Sequence, residues 1–464
     1  MLPPACNGAA ESAPPPISRI ELTKMLNQIQ TEGIDFVRFE FADLHGISRS
    51  KTIPVSHVPD YGSHGLNFIL AVFGMDPLGN VATHGKDTGT MEDIGYSDGT
   101  WFPDTSTFRV VPHSDRTGRV LIDPYHFDVS PSGGYMPWLM APRSVARKQL
   151  DRLRGIGIEL LTSFEYEFYL VDRATRKPPF GGINIFSTIR LAQEEKLVYE
   201  VLRSMKKMGV ECTTANVEYG PGQMELTFAP SFGLEAADNA FTFKTGVKEI
   251  CQRAGYMASF MTKPYPDCGG CGCHLNQSLW DVSRSVNLTG DSKEPTGFSQ
   301  TAQHYMAGIL HHGRAICAFF NPTTNCSKRL KENTFAPVSL SWGRQNRTCA
   351  IRGKPGHNAY FENRIGAGAS NPYLILAASI AAGMDGIEKK MELPPGVNGD
   401  AYEMKDHPRL PSSLEEALAA LKQNKVLCKA LGEDFIKLFV AVKEWEIEHN
   451  SGDDWEMKTY FEML

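Results

Sequence analysis

Alternating apolar and polar residues mark the most informative strand of this sequence. Residues 163–170 read Ser-Phe-Glu-Tyr-Glu-Phe-Tyr-Leu, with large apolar side chains at every second position. Because the side chains of a strand alternate between two faces, Glu165 and Glu167 project from the same face. A rise of about 3.3 Å per residue places them roughly 6.5 Å apart. Two carboxylates this close repel each other unless a cation lies between them, and the alternative is the solvent face of an edge strand.

The same alternation places a third glutamate on a polar strand face. In residues 223–228, Glu225 and two other polar residues alternate with methionine, leucine and phenylalanine. Glu218 precedes a Gly-Pro-Gly turn, whose glycines allow backbone angles that other residues avoid. Such a turn lets Glu218 and Glu225 approach one centre from different directions. A glutamate at the start of a strand is otherwise usually solvated.

A glycine-rich segment precedes the next strand. Residues 268–274 read Cys-Gly-Gly-Cys-Gly-Cys-His. A zinc ribbon needs a second Cys-x-x-Cys pair, which this sequence lacks. The glycines instead predict a backbone that passes close to a ligand, with His274 at its exit. Farther along, Glu362 and Arg364 share one strand face, an arrangement that suits a metal and an anion together.

The pattern divides the chain into three regions. Residues 1–17 are rich in proline, alanine and serine, so we expect a disordered tail. Residues 18–136 predict a small, mostly β domain, and residues 137–464 combine helices with the acidic strands, which gives an α+β protein. The predicted helices are 20–30, 142–154, 197–208, 240–254, two within 299–320, 373–386 and one opened by a capping box at 413–416; the predicted strands include 36–41 and 47–53.

Composition excludes several classes of protein. The chain has 464 residues, of which 42% are hydrophobic and 22% charged, as in ordinary globular proteins. A net charge of -6, without a long Lys/Arg run, argues against nucleic-acid and membrane partners. We expect neither a signal peptide nor a membrane span, because the first residues lack a basic region followed by an apolar core and the longest apolar helical run, 373–384, is too short to cross a bilayer. Ten cysteines in a chain of this length fit a reducing compartment, so we expect a cytoplasmic protein.

Taken in order, the motifs resemble those of the class I, or bacterial-type, glutamine synthetase family, and most closely its lengsin branch. The motifs are Glu165-x-Glu167, Glu218 with Pro-Gly-Gln-x-Glu225, Gly270-x-Gly272-x-His274, Lys328-Arg329, residues 346–352, and Glu362-x-Arg364 with Asn371-Pro372-Tyr373. The resemblance implies a β-grasp N-terminal domain and a catalytic domain with a curved antiparallel sheet and helices. It also implies a homo-oligomer of stacked rings, a dodecamer, with active sites between subunits.

The resemblance also implies a role for each matched residue. The implied ligands of one divalent cation are Glu167, Glu218 and Glu225, and those of the other are Glu165, His274 and Glu362. The implied glutamate-binding residues are Gly270, Arg329 and Arg364. The implied ATP-binding residues are Asn276, Ser278, Arg347 and Arg352. The implied catalytic residues are Arg347, Arg352 and Asp43, the last at the ammonium site of the neighbouring subunit.

The implied reaction explains this set of residues. Making an amide from a carboxylate requires a better leaving group than hydroxide, so ATP phosphorylates glutamate and an amine attacks the acyl phosphate. Two anions must meet; carboxylate-bound divalent cations neutralise them, and arginines stabilise the transferring group. Five glutamates and one histidine suit Mg²⁺ or Mn²⁺ better than zinc. The resemblance thus implies an ATP-dependent γ-glutamyl ligase whose partners are glutamate, ATP and ammonia or a larger amine.

Four positions depart from the family pattern. Phe335 stands where glutamine synthetases carry a glutamate that takes a proton from ammonium, and phenylalanine cannot do so. Related γ-glutamyl-amine ligases place an aromatic residue there, which suggests a larger, partly apolar amine. Asn276 replaces a usual nucleotide-site histidine, and His357 and Tyr360 replace usual basic phosphate contacts. The alternative hypothesis is a catalytically silent, lengsin-like structural oligomer with a chaperone-type role and a cytoskeletal partner.

Overall fold

The computed structural model describes residues 16–83, 85–86, 88, 94–128, 134–183, 185–450 and 454–464. Two β-sheets with packed helices make up this part of the chain, which confirms the α+β class. The strands are β1 (Phe36–Ala42), β2 (Ser48–Pro54), β3 (Leu66–Ile69), β4 (Asp98–Val110), β5 (Thr117–Phe127), β6 (Tyr135–Pro137), β7 (Ile158–Asp172), β8 (Cys212–Val217), β9 (Gln223–Phe228), β10 (Ser231–Phe232), β11 (Tyr256–Ser259), β12 (Cys273–Asp281), β13 (Trp342–Arg344), β14 (Ile351–Lys354) and β15 (Tyr360–Asn363). The α-helices are α1 (Arg19–Thr31), α2 (Val58–His64), α3 (Pro142–Gly155), α4 (Thr188–Gln193), α5 (Glu195–Lys207), α6 (Leu234–Arg253), α7 (Gln300–His311), α8 (Gly313–Phe320), α9 (Pro372–Glu388), α10 (Leu414–Gln423), α11 (Lys425–Leu431), α12 (Glu433–His449) and α13 (Trp455–Tyr460).

The first sheet has the order β2-β1-β5-β4-β3, with β6 added to β5. Its β1 pairs antiparallel with β2 and parallel with β5. The predicted hairpin is present, and Gly46 at its turn has a φ of +78°, a conformation that glycine adopts without strain. The β-grasp name and the domain boundaries stay predictions. The predicted tail, 1–17, falls almost entirely outside the described residues.

The second sheet has the order β13-β14-β15-β12-β7-β9-β8, with β10 and β11 also pairing with β7. Within the described residues, its strand pairs are antiparallel except for β13 with β14, which is parallel. On one face of β7, Phe164 and Tyr166 stack at an interplanar angle of 5°, and Tyr166 also contacts Phe243 of α6. Because this aromatic face is buried in the core, the polar side chains of the same strands point to the other face.

Helix α9 connects the core to the first sheet. It is buried over most of its length, packs against α3 and α7, and begins with Pro372 in its first turn. Asn371 caps it by accepting a hydrogen bond from the Tyr373 backbone N–H at 3.0 Å. The Asn371 amide also donates to the backbone oxygens of Asp43 and Leu44, at 3.0 and 3.2 Å. One side chain therefore joins the hairpin turn to the helices. Within the described residues, no helix has the length and apolar character needed to span a membrane.

Two local predictions need correction. Helix α6 begins at Leu234 rather than at residue 240. Its first turns include Asp238, which is buried in a two-point ion pair with Arg143, at 2.9 and 2.8 Å. A buried acid interrupts the apolar periodicity, so the pattern hid the first turns. At α10, Ser413 accepts from the Glu416 N–H as predicted, but the Glu416 carboxylate binds Ser412, so the reciprocal half of the capping box is shifted by one residue.

Candidate active site

The register of the second sheet gathers polar residues that lie far apart in sequence. Side chains alternate between the two faces along each strand, so three neighbouring strand pairs place their polar side chains on the face opposite the aromatic core. The opposed pairs are His274 with Glu165, Glu225 with Glu167, and Glu362 with Asn276. This face therefore carries an acidic cluster that spans β9, β7, β12 and β15.

One group in this cluster could hold a metal ion. Ligand atoms of Glu165, His274 and Glu362 all lie within 4.8 Å of one another. The Nδ1 atom of His274 is 2.9 Å from a Glu165 oxygen and 3.4 Å from a Glu362 oxygen. These are the three residues that the resemblance assigns to one divalent cation. Their role as ligands stays a prediction, but two carboxylates and an imidazole are a donor set that suits Mg²⁺ or Mn²⁺.

A second group lies beside the first and shares its histidine. Glu167, Glu225 and His274 bring ligand atoms within 4.8 Å of one another. Glu218, the third residue of the implied set, is not in this group; its carboxylate accepts a hydrogen bond from Asn216 at 3.1 Å. The structure thus brings five of the six implied ligands into two overlapping groups and leaves Glu218 at their edge.

Repulsion and burial shift the pKa values of the cluster. Burial, followed by the charges of Glu165 and Glu167, raises the pKa of Glu225 well above its usual range. Burial is the largest single effect on Glu165 and acts to raise its pKa, but the hydrogen bond to His274, the charge of His274 and the smaller effects of Glu225 and Arg364 together outweigh it, so the net shift is downward. Burial and the charge of Glu167 raise the pKa of Glu218 to about 8. Without a metal ion, these carboxylates must therefore share a proton. A divalent cation could replace that proton and offset the repulsion between them.

Gln223 fixes the orientation of one cluster carboxylate. Its amide nitrogen donates to Glu167 at 3.1 Å and to the Gly270 carbonyl at 3.2 Å, and its amide oxygen accepts from the Gly220 N–H at 2.8 Å. Gln223 is buried and shares the polar face of β9 with Glu225. The sequence pattern placed it on this face, but only the structure identifies its partners.

We expect Gln223→Leu to lower the Mn²⁺ affinity of the protein about 10- to 100-fold, because partners that orient ligating carboxylates contribute on this scale. Leucine retains the volume but cannot hold the Glu167 carboxylate. Titration calorimetry with Mn²⁺ measures the effect, and Gln193→Leu, at an exposed position of α4, is the matched control. Equal Mn²⁺ affinities in both variants would contradict this role.

Two cavities are lined in part by residues of the cluster. The larger, of about 470 Å³, includes Glu165, Glu362 and Arg352 in its lining. The implied ATP-binding residues Asn276 and Ser278 also line it. The smaller, of about 80 Å³, has a lining that includes Glu167, Glu218, His274, Gly270, Arg329, Phe335 and Arg364. The acidic cluster is therefore a wall shared by both cavities.

The glycine-rich segment closes one side of the small pocket. A Cβ atom on Gly270 would lie 2.9 Å from the Arg329 side chain, and one on Gly272 would lie 2.9 Å from Arg329 and 3.0 Å from His274. Only glycine therefore allows this approach without displacing either side chain. The backbone here passes close to Arg329 and His274, and its predicted close approach to a ligand stays a prediction.

The arginines differ in how far the structure brings them to the site. The Arg364 guanidinium binds Glu362 and donates to the backbone oxygens of Phe335 and Arg347, each at 3.1 Å. Arg352 donates to Glu362 at 3.1 Å. The side chain of Arg347 is exposed, and Arg347 does not appear among the residues that line either cavity. Its implied roles in ATP binding and catalysis therefore stay predictions, because the described structure places its side chain in neither cavity.

Asp43 is also separate from the acidic cluster of its own chain. Its carboxylate is only 2% exposed and accepts from the backbone N–H groups of His45 and Ile47 at 2.9 and 3.0 Å. It also pairs with Arg49 at 2.9 Å. Asp43 thus stabilises the hairpin turn, and its implied role in a neighbouring subunit stays a prediction.

Comparison with known proteins identifies the family. Residues 139–460 match the family model of the glutamine synthetase catalytic domain. The chain belongs to the glutamine synthetase family. Human lengsin is 34% identical over 432 residues, covering 90% of this chain and 81% of lengsin. A glutamate–isopropylamine ligase from Pseudomonas sp. is 28% identical over 461 residues, covering 96% of this chain and 98% of the ligase. A solved GmaS/ADP complex has a TM-score of 0.81 at 27% identity, covering 94% of this chain and 98% of the other.

Proposed function

We propose that this member of the glutamine synthetase family is an ATP-dependent ligase that joins the γ-carboxylate of glutamate to an amine with a partly apolar body. The observation that carries the proposal is the acidic cluster between two cavities. A cavity of about 470 Å³ has the size of a small-molecule site and suits ATP. The smaller pocket, with its two arginines, suits the carboxylates of glutamate.

The residues of the cluster fit divalent cations by the chemistry of their donors and by the raised pKa of Glu225. Glu165, Glu167, Glu225, His274 and Glu362 would hold the ions, with Glu218 at the edge. When bound, Mg²⁺ or Mn²⁺ supplies positive charge between the two anionic substrates.

The arginines are placed to orient the reacting groups. Arg352 faces the larger cavity, so it would stabilise charge on the transferring phosphoryl group. Arg329 and Arg364 line the smaller pocket, where they would orient the glutamate carboxylate.

Two aromatic rings favour an amine larger than ammonia. Phe335 and Tyr219 both line the small pocket and stack with ring centroids 6.2 Å apart at 27°. They are 49% and 41% exposed, so each retains free ring surface. Aromatic faces bind alkylammonium groups by cation–π attraction and bury apolar carbons. The glutamate–isopropylamine ligase is a relative named for such an amine.

Glu218 suits the proton transfer that such an amine requires. It lines the same pocket as Phe335, which cannot accept a proton. Burial and Glu167 raise its pKa to about 8, near the range in which a carboxylate exchanges protons with an amine. We infer that Glu218, in its ionised form, accepts the proton released as the amide bond forms, so this step is favoured as the pH rises toward and above 8.

The proposal is tested by ADP release and by mass spectrometry of the product. The protein is incubated with glutamate, ATP, Mg²⁺ or Mn²⁺, and ammonia, isopropylamine, benzylamine or ethanolamine. A γ-glutamyl amide with an alkyl or aryl amine supports the proposal. Silence across the panel from intact oligomers would instead favour the alternative, a lengsin-like assembly without turnover; the chain is 34% identical to human lengsin. The ring-stacked assembly and the cytoplasmic location are expectations that sedimentation and cell fractionation would check.

Phe335→Ala is expected to lower kcat/KM for isopropylamine or benzylamine by at least about tenfold relative to ammonia, because the variant removes half of the aromatic pair. Competition between each amine and ammonia measures the ratio directly. Phe127→Ala removes a ring of similar exposure from the first sheet and serves as the control. An unchanged ratio in Phe335→Ala would contradict this role of the ring.

A further inference from the structure

The charges lining the larger cavity are nearly all paired. Among the described residues that line it, Glu165 and Glu362 are the anions, and Arg352 and Lys354 are the cations. Arg352 already donates to Glu362 at 3.1 Å and to Gln345 at 3.3 Å. Within the described part of the chain, Lys354 has no ion pair with a carboxylate. It is the cavity cation whose charge remains available to a ligand.

The register of β14 and β15 fixes where this charge lies. Arg352 is opposite Glu362, and Lys354 is opposite Tyr360, in one antiparallel ladder. Residues two apart share a face and are about 6.6 Å apart along a strand. Lys354 therefore lies one such step beyond Arg352, in the direction that leads away from the acidic cluster. A chain of phosphate groups that begins at the cluster would extend along this row.

Tyr360 holds the lysine without neutralising it. The Lys354 Nζ atom lies over the Tyr360 ring, 5.5 Å from its centroid. A cation–π contact stabilises the ammonium group and limits its movement, but it leaves the full positive charge for an anion. A carboxylate in the place of Tyr360 would pair with that charge instead. Lys354 is half-buried and Tyr360 is likewise only partly exposed, so the pair forms part of the cavity wall.

We propose that Lys354 is the residue that binds the polyphosphate of the nucleotide in this cavity and that Tyr360 is its positioning residue. The inference rests on the proposed function, because it takes ATP as the occupant of the larger cavity. Tyr360 departs from the family pattern, in which a basic residue is usual. In this chain the positive charge is supplied from the opposing strand, and the aromatic ring keeps it in place.

Binding measurements on the full chain test the proposal without requiring turnover. Titration calorimetry with the β,γ-imido analogue of ATP plus Mg²⁺ compares the wild type with Lys354→Met, which keeps the length of the side chain and removes its charge. We expect the affinity for the analogue to fall about tenfold or more, while the affinity for adenosine stays within twofold. Lys354→Arg should retain most of the affinity. Lys405→Met removes an exposed lysine that lines neither cavity and is the matched control.

Tyr360 provides a second, independent comparison. Tyr360→Phe keeps the ring and should bind the analogue as the wild type does, whereas Tyr360→Leu should weaken it about threefold. The proposal is overturned if Lys354→Met binds the analogue as tightly as Lys405→Met, even if the wild type makes γ-glutamyl amides. A wild type that makes no amide but loses analogue affinity on Lys354→Met would overturn the proposed function alone. A wild type that binds no triphosphate would overturn both.

Discussion

Glu225→Gln is expected to abolish metal-dependent activity while stabilising the protein in the absence of metal. Glu225 lies opposite Glu167 and belongs to one of the two candidate ligand groups. Glutamine matches the shape of the protonated glutamate but cannot supply a charged ligand. We expect at least a hundredfold loss of kcat, the scale of losing one electrostatic contribution in an active site. The same change removes repulsion from Glu165 and Glu167, so the metal-free protein gains stability.

The sign of the stability change depends on pH. The pKa of Glu225 is raised in the folded protein above its unfolded value of about 4.5. Below pH 4.5 the carboxyl is protonated in both states, and glutamine makes no difference. As the pH rises, the unfolded chain releases this proton first, so the wild type loses stability relative to the variant. We expect Glu225→Gln to be more stable by on the order of 1 kcal/mol at pH 8, since one pKa unit corresponds to about 1.4 kcal/mol.

Thermal and urea unfolding, with and without Mn²⁺, would measure both effects at a fixed protein concentration. Mn²⁺ should stabilise the wild type and have little effect on Glu225→Gln, because only the wild type has the full ligand group. Glu211→Gln, at an exposed position beside β8, should respond to Mn²⁺ as the wild type does. A metal-free variant less stable than the wild type at pH 8, or equal protection of both by Mn²⁺, would show that repulsion does not dominate this cluster.

The sequence predicted the faces of the acidic strands but not their neighbours. Period-two alternation alone assigns Glu165 and Glu167 to one face of β7, and the structure has the complementary face in the aromatic core. Strand order and register depend on packing between segments that lie 60 to 200 residues apart, and local pattern contains no information about it. The meeting of Glu165 with Glu362 was therefore expected from the family resemblance and not from periodicity.

The features that sequence reasoning overlooked, the role of Lys354 and the conformation of Phe335, depend on contacts of this long-range kind. Lys354 follows Arg352 with the spacing of one strand face, so alternation could have placed it beside the site. Its importance depends on which charges are already paired, and that is visible only in the fold. Phe335 has a φ of +56°, an unusual conformation for a non-glycine residue, and its carbonyl accepts from Arg364. Neither the conformation nor the contact has a signature in the sequence.

A buried polar cluster near the hairpin turn was also beyond prediction. Glu446 of α12 has no exposed surface and accepts from the phenol of Tyr460 at 2.6 Å. Its other oxygen is 2.7 Å from His45 and 2.7 Å from Lys443. Burial acts to raise its pKa, but Lys443 and His45 outweigh this and lower it to about 2. These partners join the N-terminal turn, where His45 follows Asp43, to two C-terminal helices.

Glu446→Gln is expected to destabilise the protein by about 3–5 kcal/mol, because it leaves the charge of Lys443 buried without its partner. Because the pKa of Glu446 is lowered, its contribution is present above its unfolded pKa of about 4.5 and is lost as the pH falls toward 2. Urea unfolding at pH 7 measures the loss. Glu444→Gln is the control, because Glu444 lies on the same helix as Glu446 but is partly exposed and pairs with Lys422. The control should lose less than about 1 kcal/mol. If both variants unfolded at the same urea concentration, the cluster would contribute no more than a surface ion pair, and the turn that carries Asp43 would be held by Asn371 instead.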